Sequence, residues 1–175
     1  MFSSVFGCFR VYSSVSNVFM CFRVFSIFEN WRKPVKAGNH RYMRNVAKAK
    51  GGGNPEHRAE LARGQSPPVA IIGCADSRAP PELIFDADSG ELFTIRVAGN
   101  VVNPDNLASV EYAVKCLGTK LVVILGHTRC GAVAAACGDQ RGLAGHLPML
   151  MHQIRPAIKN SKDPVLDNVK AQLEK

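Results

Sequence analysis

The feature that most constrains the fold is a series of three short runs of apolar, largely β-branched residues. They lie within 66–73, at 92–97 and within 120–126. Because each run is apolar on both faces, it is typical of a parallel strand that helices cover on both sides. Residues 105–117 have helical spacing, and 131–137 begin another helix. The pattern predicts an α/β fold with a mainly parallel β-sheet flanked by helices.

The length and the distribution of charge limit the domain count and the partners. The chain has 175 residues, of which 46% are hydrophobic, and this suits one globular domain. Its formal charge is +8, but residues 1–50 carry nine Lys/Arg and one acid, whereas residues 51–175 carry 13 of each sign. A nucleic-acid-binding domain usually carries its basic excess on the fold itself. The distribution therefore argues against a nucleic-acid partner.

The N-terminal segment has an unusual composition. Residues 1–28 are rich in Phe, Val and Ser, and contain Arg10, Arg23 and no acid. This composition favours a mitochondrial or plastid presequence, with a low-complexity extension or a secretory signal as alternatives. No uncharged stretch reaches the roughly 20 residues of a membrane-spanning helix. We expect residues 1–38 to be an extension outside the fold and residues 39–175 to form the domain.

Cysteine usage and strand ends indicate where chemistry can occur. The six cysteines are scattered in a chain of moderate size, which favours reduced thiols over a disulfide framework. Reduced thiols indicate an intracellular compartment, which is the cytoplasm if the chain carries no targeting segment. The segment CADSR (74–78) follows the first predicted strand, and HTRC (127–130) follows the third. Ligands collect at the carboxyl ends of parallel strands. These two segments are therefore the candidates for a functional site.

The residue types in these two segments suit zinc, which prefers thiolate and imidazole ligands. His127 and Cys130 are three residues apart, so one turn of backbone can direct both side chains to one point. Cys74 supplies a third ligand if the two strands lie close together, and Asp76 is a fourth ligand or a hydrogen-bonding neighbour. The alternatives are that Cys74 is a small buried hydrophobe and that Asp76 and Arg78 form a surface ion pair of little energetic value.

The same residues carry a resemblance to a known family. The chain resembles the β-class carbonic anhydrases in CADSR (74–78), PPELIFD (80–86), GELFTIRVAGN (90–100), SVEYAV (109–114) and GHTRCGAV (126–133). The similarity extends from about Asn39 to the C-terminus. It implies reversible hydration of CO2 to bicarbonate and a proton, with Zn²⁺ as cofactor.

The resemblance also implies roles for individual residues. It implies that Cys74, His127 and Cys130 bind zinc, and that Asp76 and Arg78 form a catalytic dyad. Pairing of Asp76 with Arg78 leaves the fourth zinc position open, whereas in a closed state Asp76 is itself a ligand. Three further residues are implied to bind substrate: Gln65, Phe93 and Tyr112. In the family, the two aromatic positions often line the pocket across a dimer interface. A homodimer or larger assembly is therefore expected.

One departure from the family leaves alternatives open. Members normally continue past the region that matches 167–175 into another strand and helix, so we expect a C-terminally short sheet that lacks the last strand. A truncated, non-catalytic zinc-binding relic is therefore an alternative to an active enzyme. A hydrolase of carbonyl sulfide or carbon disulfide on the same fold is another alternative, because the width of the pocket decides between these substrates and CO2.

Overall fold

A computed structural model describes residues 6–12, 19–26, 32–44, 46, 55–158 and 161–173. The described residues form one five-stranded sheet in the order β1-β2-β5-β3-β4. Its strands are β1 (Phe6–Tyr12), β2 (Phe19–Ser26), β3 (Val69–Cys74), β4 (Leu92–Val97) and β5 (Leu121–His127). β3 runs parallel to both β4 and β5. The predicted α/β class and the three predicted strands are confirmed.

Seven α-helices lie within the described part of the chain. They are α1 (Arg32–Met43), α2 (Pro55–Leu61), α3 (Pro81–Ile84), α4 (Pro104–Cys116), α5 (Gly131–Cys137), α6 (Leu147–Ile158) and α7 (Pro164–Leu173). The predicted helices at 105–117 and from 131 correspond to α4 and α5. α4 begins where the side chain of Asn103 accepts a hydrogen bond from the backbone of Asn106, with Pro104 in the first turn. None of the helices described is both long and apolar enough to cross a membrane.

The two central parallel strands, β3 and β5, are buried on both faces. Every residue of β3 is buried, as are all but one of β5. Ile71 and Val123 belong to one core cluster, while their neighbours Ile72 and Ile124 belong to another. Because successive side chains of a strand point to opposite faces, both faces of this sheet are covered. This is why the strands are uniformly apolar rather than alternating.

The N-terminal segment differs from the expectation that residues 1–38 lie outside the fold. β1 pairs antiparallel with β2, and β2 pairs antiparallel with β5, from Met20 opposite His127 to Ser26 opposite Leu121. Runs rich in Phe and Val have a high propensity for strands, and the edge of β5 offers unpaired backbone groups. Pairing along that edge satisfies the backbone of both strands.

The expected boundary between residues 38 and 39 falls inside α1. Gly38 and Asn39 are buried, and Asn39 Nδ2 donates to the carbonyl of Ile84 at 3.0 Å. Arg41 forms an ion pair with the buried Asp86. The helix therefore packs on the domain across the expected boundary, through contacts that no local sequence pattern indicates.

The described residues after His127 form α5, α6 and α7 and no strand. α7 packs against β5: a Cβ atom at Gly126 would lie 2.5 Å from Cγ2 of Val169 on α7. The close approach of the helix to the strand thus requires glycine at this position. The expected lack of a C-terminal strand stays a prediction.

Candidate metal centre

The topology brings the two predicted segments to one edge of the sheet. Cys74 is the last residue of β3, and His127 is the last residue of its parallel neighbour β5. A two-residue turn follows β5, in which Arg129 has a φ of 53°, in the left-handed region that few non-glycine residues adopt. The turn ends at Cys130, the residue before α5. Neighbouring strand ends and this reversal bring the three side chains together.

The three side chains form a compact, buried cluster. The ligand atoms of Cys74, His127 and Cys130 all lie within 4.8 Å of one another. The two sulfur atoms are 3.9 Å apart, and the residues are 4%, 1% and 2% exposed respectively. Two sulfur ligands of a tetrahedral zinc, each about 2.3 Å from the metal, lie roughly 3.8 Å apart. The sulfur spacing therefore fits a shared zinc ion.

His127 provides a second observation that fits a metal. Its Nδ1 lies 3.1 Å from the carbonyl oxygen of Thr128, which can only accept, so Nδ1 carries the proton. The other nitrogen, Nε2, is buried and has no hydrogen-bond partner among the described residues. A buried polar atom without a partner costs free energy. Coordination of a metal by Nε2 would satisfy this atom, and the Nδ1 hydrogen bond holds the ring in an orientation suited to it.

The two cysteines differ in their protonation. The pKa of Cys74 is lowered, chiefly because the Cys130 thiol donates a hydrogen bond to its sulfur and also because His127 lies beside it. The pKa of Cys130 is raised for the same reason, since its proton is held by the Cys74 thiolate. The backbone N–H of Gly99 also donates to the sulfur of Cys74, at 3.3 Å. The Gly99 N–H therefore favours negative charge on the sulfur of Cys74.

Asp76 and Arg78 form the predicted pair beside this cluster. Arg78 Nε donates to Asp76 Oδ1 at 2.9 Å, and Nη2 donates to Oδ2 at 2.7 Å. The Arg78 guanidinium lowers the pKa of Asp76 to about 2, so the carboxyl group is ionised at neutral pH. Asp76 Oδ2 lies 3.8 Å from Nε2 of His127. An ionised, oriented carboxylate thus stands at the edge of the metal-ligand cluster.

Sequence reasoning missed one residue that supports this segment. Arg96 Nε donates to the carbonyl of Cys74 at 2.9 Å, and its Nη2 donates to the carbonyl of Asp76 at 2.7 Å. These bonds hold the backbone between the first ligand and the carboxylate. The available signal was a single arginine inside the largely apolar run of β4.

The structure does not bring the predicted substrate-binding residues to the cluster of the same chain. Gln65 is exposed and lies before the start of β3. Cys74 is at the other end of that strand, which is roughly 16 Å long. Phe93 pairs with Ala70 near the start of the strands, and its ring lies 6.3 Å from that of Tyr112. The two aromatic residues therefore contact each other but lie away from the metal ligands. Their role and that of Gln65 stay predictions.

Comparison with known proteins identifies relatives in sequence. The model of the carbonic anhydrase family matches residues 69–175. The chain is 40% identical over 136 residues to carbonic anhydrase 2 of Mycobacterium tuberculosis, an alignment that covers 72% of this chain and 62% of that protein. The chain thus spans less than two thirds of the length of this curated relative.

Solved structures show the same fold. The β-carbonic anhydrase CafA of Aspergillus fumigatus matches with a TM-score of 0.55 and 33% identity, covering 82% of this chain and 68% of that one. A tetrameric β-carbonic anhydrase of Sordaria macrospora matches with a TM-score of 0.53 and 25% identity, covering 84% and 78%. Together with the family match and the resemblance of both motifs, these similarities show that the chain belongs to the β-class carbonic anhydrase family.

Proposed function

We propose that this chain catalyses the reversible hydration of CO2 to bicarbonate and a proton, with Zn²⁺ held by Cys74, His127 and Cys130. The observation that carries the proposal is the buried cluster of two sulfurs and one unpartnered imidazole nitrogen within 4.8 Å. This is the ligand set of a zinc site that keeps one position for a reactant. A bound zinc ion acts as a Lewis acid and lowers the pKa of water at the site.

Asp76 has the position and charge to direct the reacting water. Its carboxylate is ionised, lies 3.8 Å from Nε2 of His127, and is held in one orientation by two hydrogen bonds from Arg78. An ionised carboxylate accepts a hydrogen bond from water and so orients an oxygen lone pair towards carbon. Arg78 Nη2 also donates to the carbonyl of Arg129 at 3.2 Å. This link supports the open arrangement, in which Asp76 pairs with Arg78, over the closed one.

The surface of α4 supports a second copy of the chain as partner. Leu107, Tyr112 and Val114 are 38%, 51% and 37% exposed, although they are large and apolar or aromatic. The predicted substrate-binding residues Gln65 and Phe93 also lie away from the metal ligands of their own chain. We infer a homodimer or larger assembly, in which these residues of one protomer serve the site of its partner.

Residues 1–38 are also proposed to direct the chain to a mitochondrion or plastid. The support is compositional: the segment has Arg and Ser and almost no acid. Fluorescent-protein fusions of residues 1–38 and of residues 39–175 would test it. Organellar signal from the first fusion alone is the expected result, and diffuse signal from both would contradict the proposal.

Stopped-flow measurement of CO2 hydration on the purified chain, with zinc counted in the same sample, tests the proposed reaction. Turnover by zinc-loaded protein is the expected result. Zinc without turnover of CO2 would contradict the proposal, and it would favour a non-catalytic relic if carbonyl sulfide and carbon disulfide are not turned over either. A parallel assay with carbonyl sulfide and carbon disulfide on the same zinc-loaded sample tests the hydrolase alternative. Turnover of either of these substrates without turnover of CO2 would favour the hydrolase.

A further inference from the structure

We propose that Asn168, on α7, is a positioning residue for the metal ligand Cys74 and acts through the backbone of Gly99. The inference rests on the proposed function, because it concerns the geometry of the same metal site. It adds a residue remote in sequence from both motifs. α7 carries no predicted ligand or substrate residue, so nothing in the two motifs points to it.

The connection consists of two consecutive hydrogen bonds. The N–H of Gly99 donates to the sulfur of Cys74 at 3.3 Å, and the carbonyl of Gly99 accepts from Asn168 Nδ2 at 2.8 Å. Cys74 is 4% exposed and Asn168 is completely buried, so water does not compete for these bonds. One residue thus joins the buried amide of α7 to the sulfur of Cys74 at the end of β3.

Gly99 needs such a restraint because of its conformation. Its φ is 73°, in the left-handed region, and a Cβ atom there would lie 2.7 Å from Cδ1 of Ile154 and 3.2 Å from Cβ of Ala132. Both the backbone conformation and the space around it therefore require glycine. Glycine is also the residue with the greatest backbone freedom. The direction of its N–H is consequently set by the contacts around it, and the bond from Asn168 is one of these.

Asn168 is itself held in place by a second buried amide. Its Oδ1 accepts a hydrogen bond from Gln172 Nε2 at 3.1 Å. Gln172 Oε1 in turn accepts from the backbone N–H of Val102 at 2.8 Å, and Gln172 is 2% exposed. α7 therefore contacts the backbone of the turn after β4 at two points, Gly99 and Val102. Because buried amides with all partners in place adopt one orientation, Asn168 presents its N–H groups to Gly99 in a defined direction.

Hydrogen bonds around metal ligands fix their orientation and tune their basicity. Loss of such a partner typically costs 10- to 100-fold in metal affinity. The carbonyl and the N–H of Gly99 belong to the two peptide groups on either side of its Cα, so loss of the Asn168 amide removes a restraint on the φ and ψ torsions that relate them. We expect the N–H to point less directly at the sulfur, which weakens that hydrogen bond and changes the charge density on Cys74. We therefore expect Asn168→Leu, which keeps the size but removes both polar atoms, to lower zinc affinity by about 10-fold.

The experiment compares the full-length chain with Asn168→Leu and a matched control, Thr119→Val. Thr119 is buried and its Oγ1 donates to the carbonyl of Pro67 at 2.8 Å. These two residues precede the starts of β5 and β3, at the end of the strands opposite to Cys74 and His127. Each variant loses a buried side-chain-to-backbone hydrogen bond, but only one lies near the metal site. Zinc affinity is measured by competition with a chelator, and the Co²⁺-loaded proteins are compared by their thiolate-to-cobalt absorption.

The expected result is weaker zinc binding and a shifted thiolate-to-cobalt band in Asn168→Leu, with both unchanged in Thr119→Val. If Asn168→Leu does not fold, the smaller Asn168→Ser carries the same expectation. Folded variants with wild-type affinity and band, or equal losses in the Thr119 control, would overturn the role of Asn168. A wild-type chain that binds neither zinc nor cobalt would instead refute the proposed function.

Discussion

Two aspartate–arginine pairs in this protein share the same local geometry but differ in what surrounds them. In each, the arginine two residues after the aspartate donates backbone and side-chain hydrogen bonds to it: Arg78 to Asp76, and Arg141 to Asp139. The side chain of Asp76 is 21% exposed and lies beside His127, whereas that of Asp139 is 56% exposed. Location at the strand ends, rather than the D-x-R spacing, makes Asp76 a candidate for catalysis.

The comparison gives a prediction for Asp76→Asn. We expect this variant to keep its zinc, because no ligand is lost, but to hydrate CO2 at least ~100-fold more slowly, because the carboxylate that accepts a hydrogen bond from water is gone. Stopped-flow assay and metal analysis on the same sample measure both quantities. Asp139→Asn is the matched control and should retain wild-type activity. Full activity of Asp76→Asn would contradict the role assigned to Asp76.

Some of this site is predictable from sequence and some is not. Cys74, His127 and Cys130 follow from strand ends, because adjacent parallel strands end at one edge of the sheet. Arg96 and Asn168 do not follow, because their partners are backbone carbonyls far away in sequence. Such contacts depend on the packing of β4 and α7 against the site, which no local pattern specifies.

At the scale of elements, strands and helices with a strong hydrophobic pattern are predictable, and those fixed by pairing are not. β3 and most of β5 are apolar because helices cover both faces of the sheet, whereas β4 carries Thr94 and Arg96 within an otherwise apolar run. β2 is placed by antiparallel pairing with β5, a partner about 100 residues away in the chain. α1 has a polar composition and packs through only a few residues, so its periodicity did not indicate a place in the domain. In α4 the helical spacing of apolar residues is clear, but it does not indicate which of them are buried, because Leu107 is exposed.

The packing of α1 can be tested at Gly38. A Cβ atom there would lie 1.8 Å from the carbonyl oxygen of Phe85, which is backbone and cannot move independently. We expect Gly38→Ala to lower the free energy of unfolding by about 2–3 kcal/mol, as overpacking does. Gly131→Ala is the control, because nothing lies within 4 Å of its Cβ position. Urea unfolding measures both, and equal stability of Gly38→Ala and wild type would show that α1 does not pack as described.

The start of α7 gives a pH-dependent prediction. The pKa of Asp167 is lowered, chiefly because Ser161 donates a hydrogen bond to its carboxylate and also because Lys170 lies beside it. A carboxyl group with a lowered pKa in the folded state stabilises the fold above its unfolded pKa of about 3.9, and this contribution is lost as the pH falls below that value. Asp167→Asn should therefore have a lower Tm than wild type at pH 6, with the difference shrinking below about pH 4. Thermal unfolding across this range measures it, and a constant difference would contradict the assignment.

At the scale of the whole molecule, the candidate metal ligands and the predicted substrate-binding residues occupy different regions of one chain. Cys74 lies at the carboxyl edge of the sheet, while Gln65 precedes the opposite end of the same strand. The proposed assembly of two chains would place both sets in one site. The exposed apolar side chains of α4 provide a surface for it, since exposed apolar patches commonly mark interfaces.

The double variant Leu107→Glu with Val114→Glu tests that surface. The two residues are seven positions apart and so share one face of α4. Because charges are unfavourable in a buried interface, we expect the variant to be monomeric in light scattering while its circular dichroism spectrum stays unchanged. Met149→Glu is the control, as Met149 is 62% exposed on α6. Loss of the assembly in the control alone would place the interface elsewhere.

The proposed ligand set is tested by the zinc content of three proteins purified in parallel: wild type, Cys74→Ser and Cys116→Ser. Cys74 is buried in the metal-ligand cluster, whereas Cys116 is exposed at the end of α4. We expect about one zinc per chain in wild type and Cys116→Ser, and none in Cys74→Ser, since a site of two thiolates and one imidazole loses its metal with either sulfur. Full zinc content in Cys74→Ser would contradict the ligand set from which the proposed function is derived.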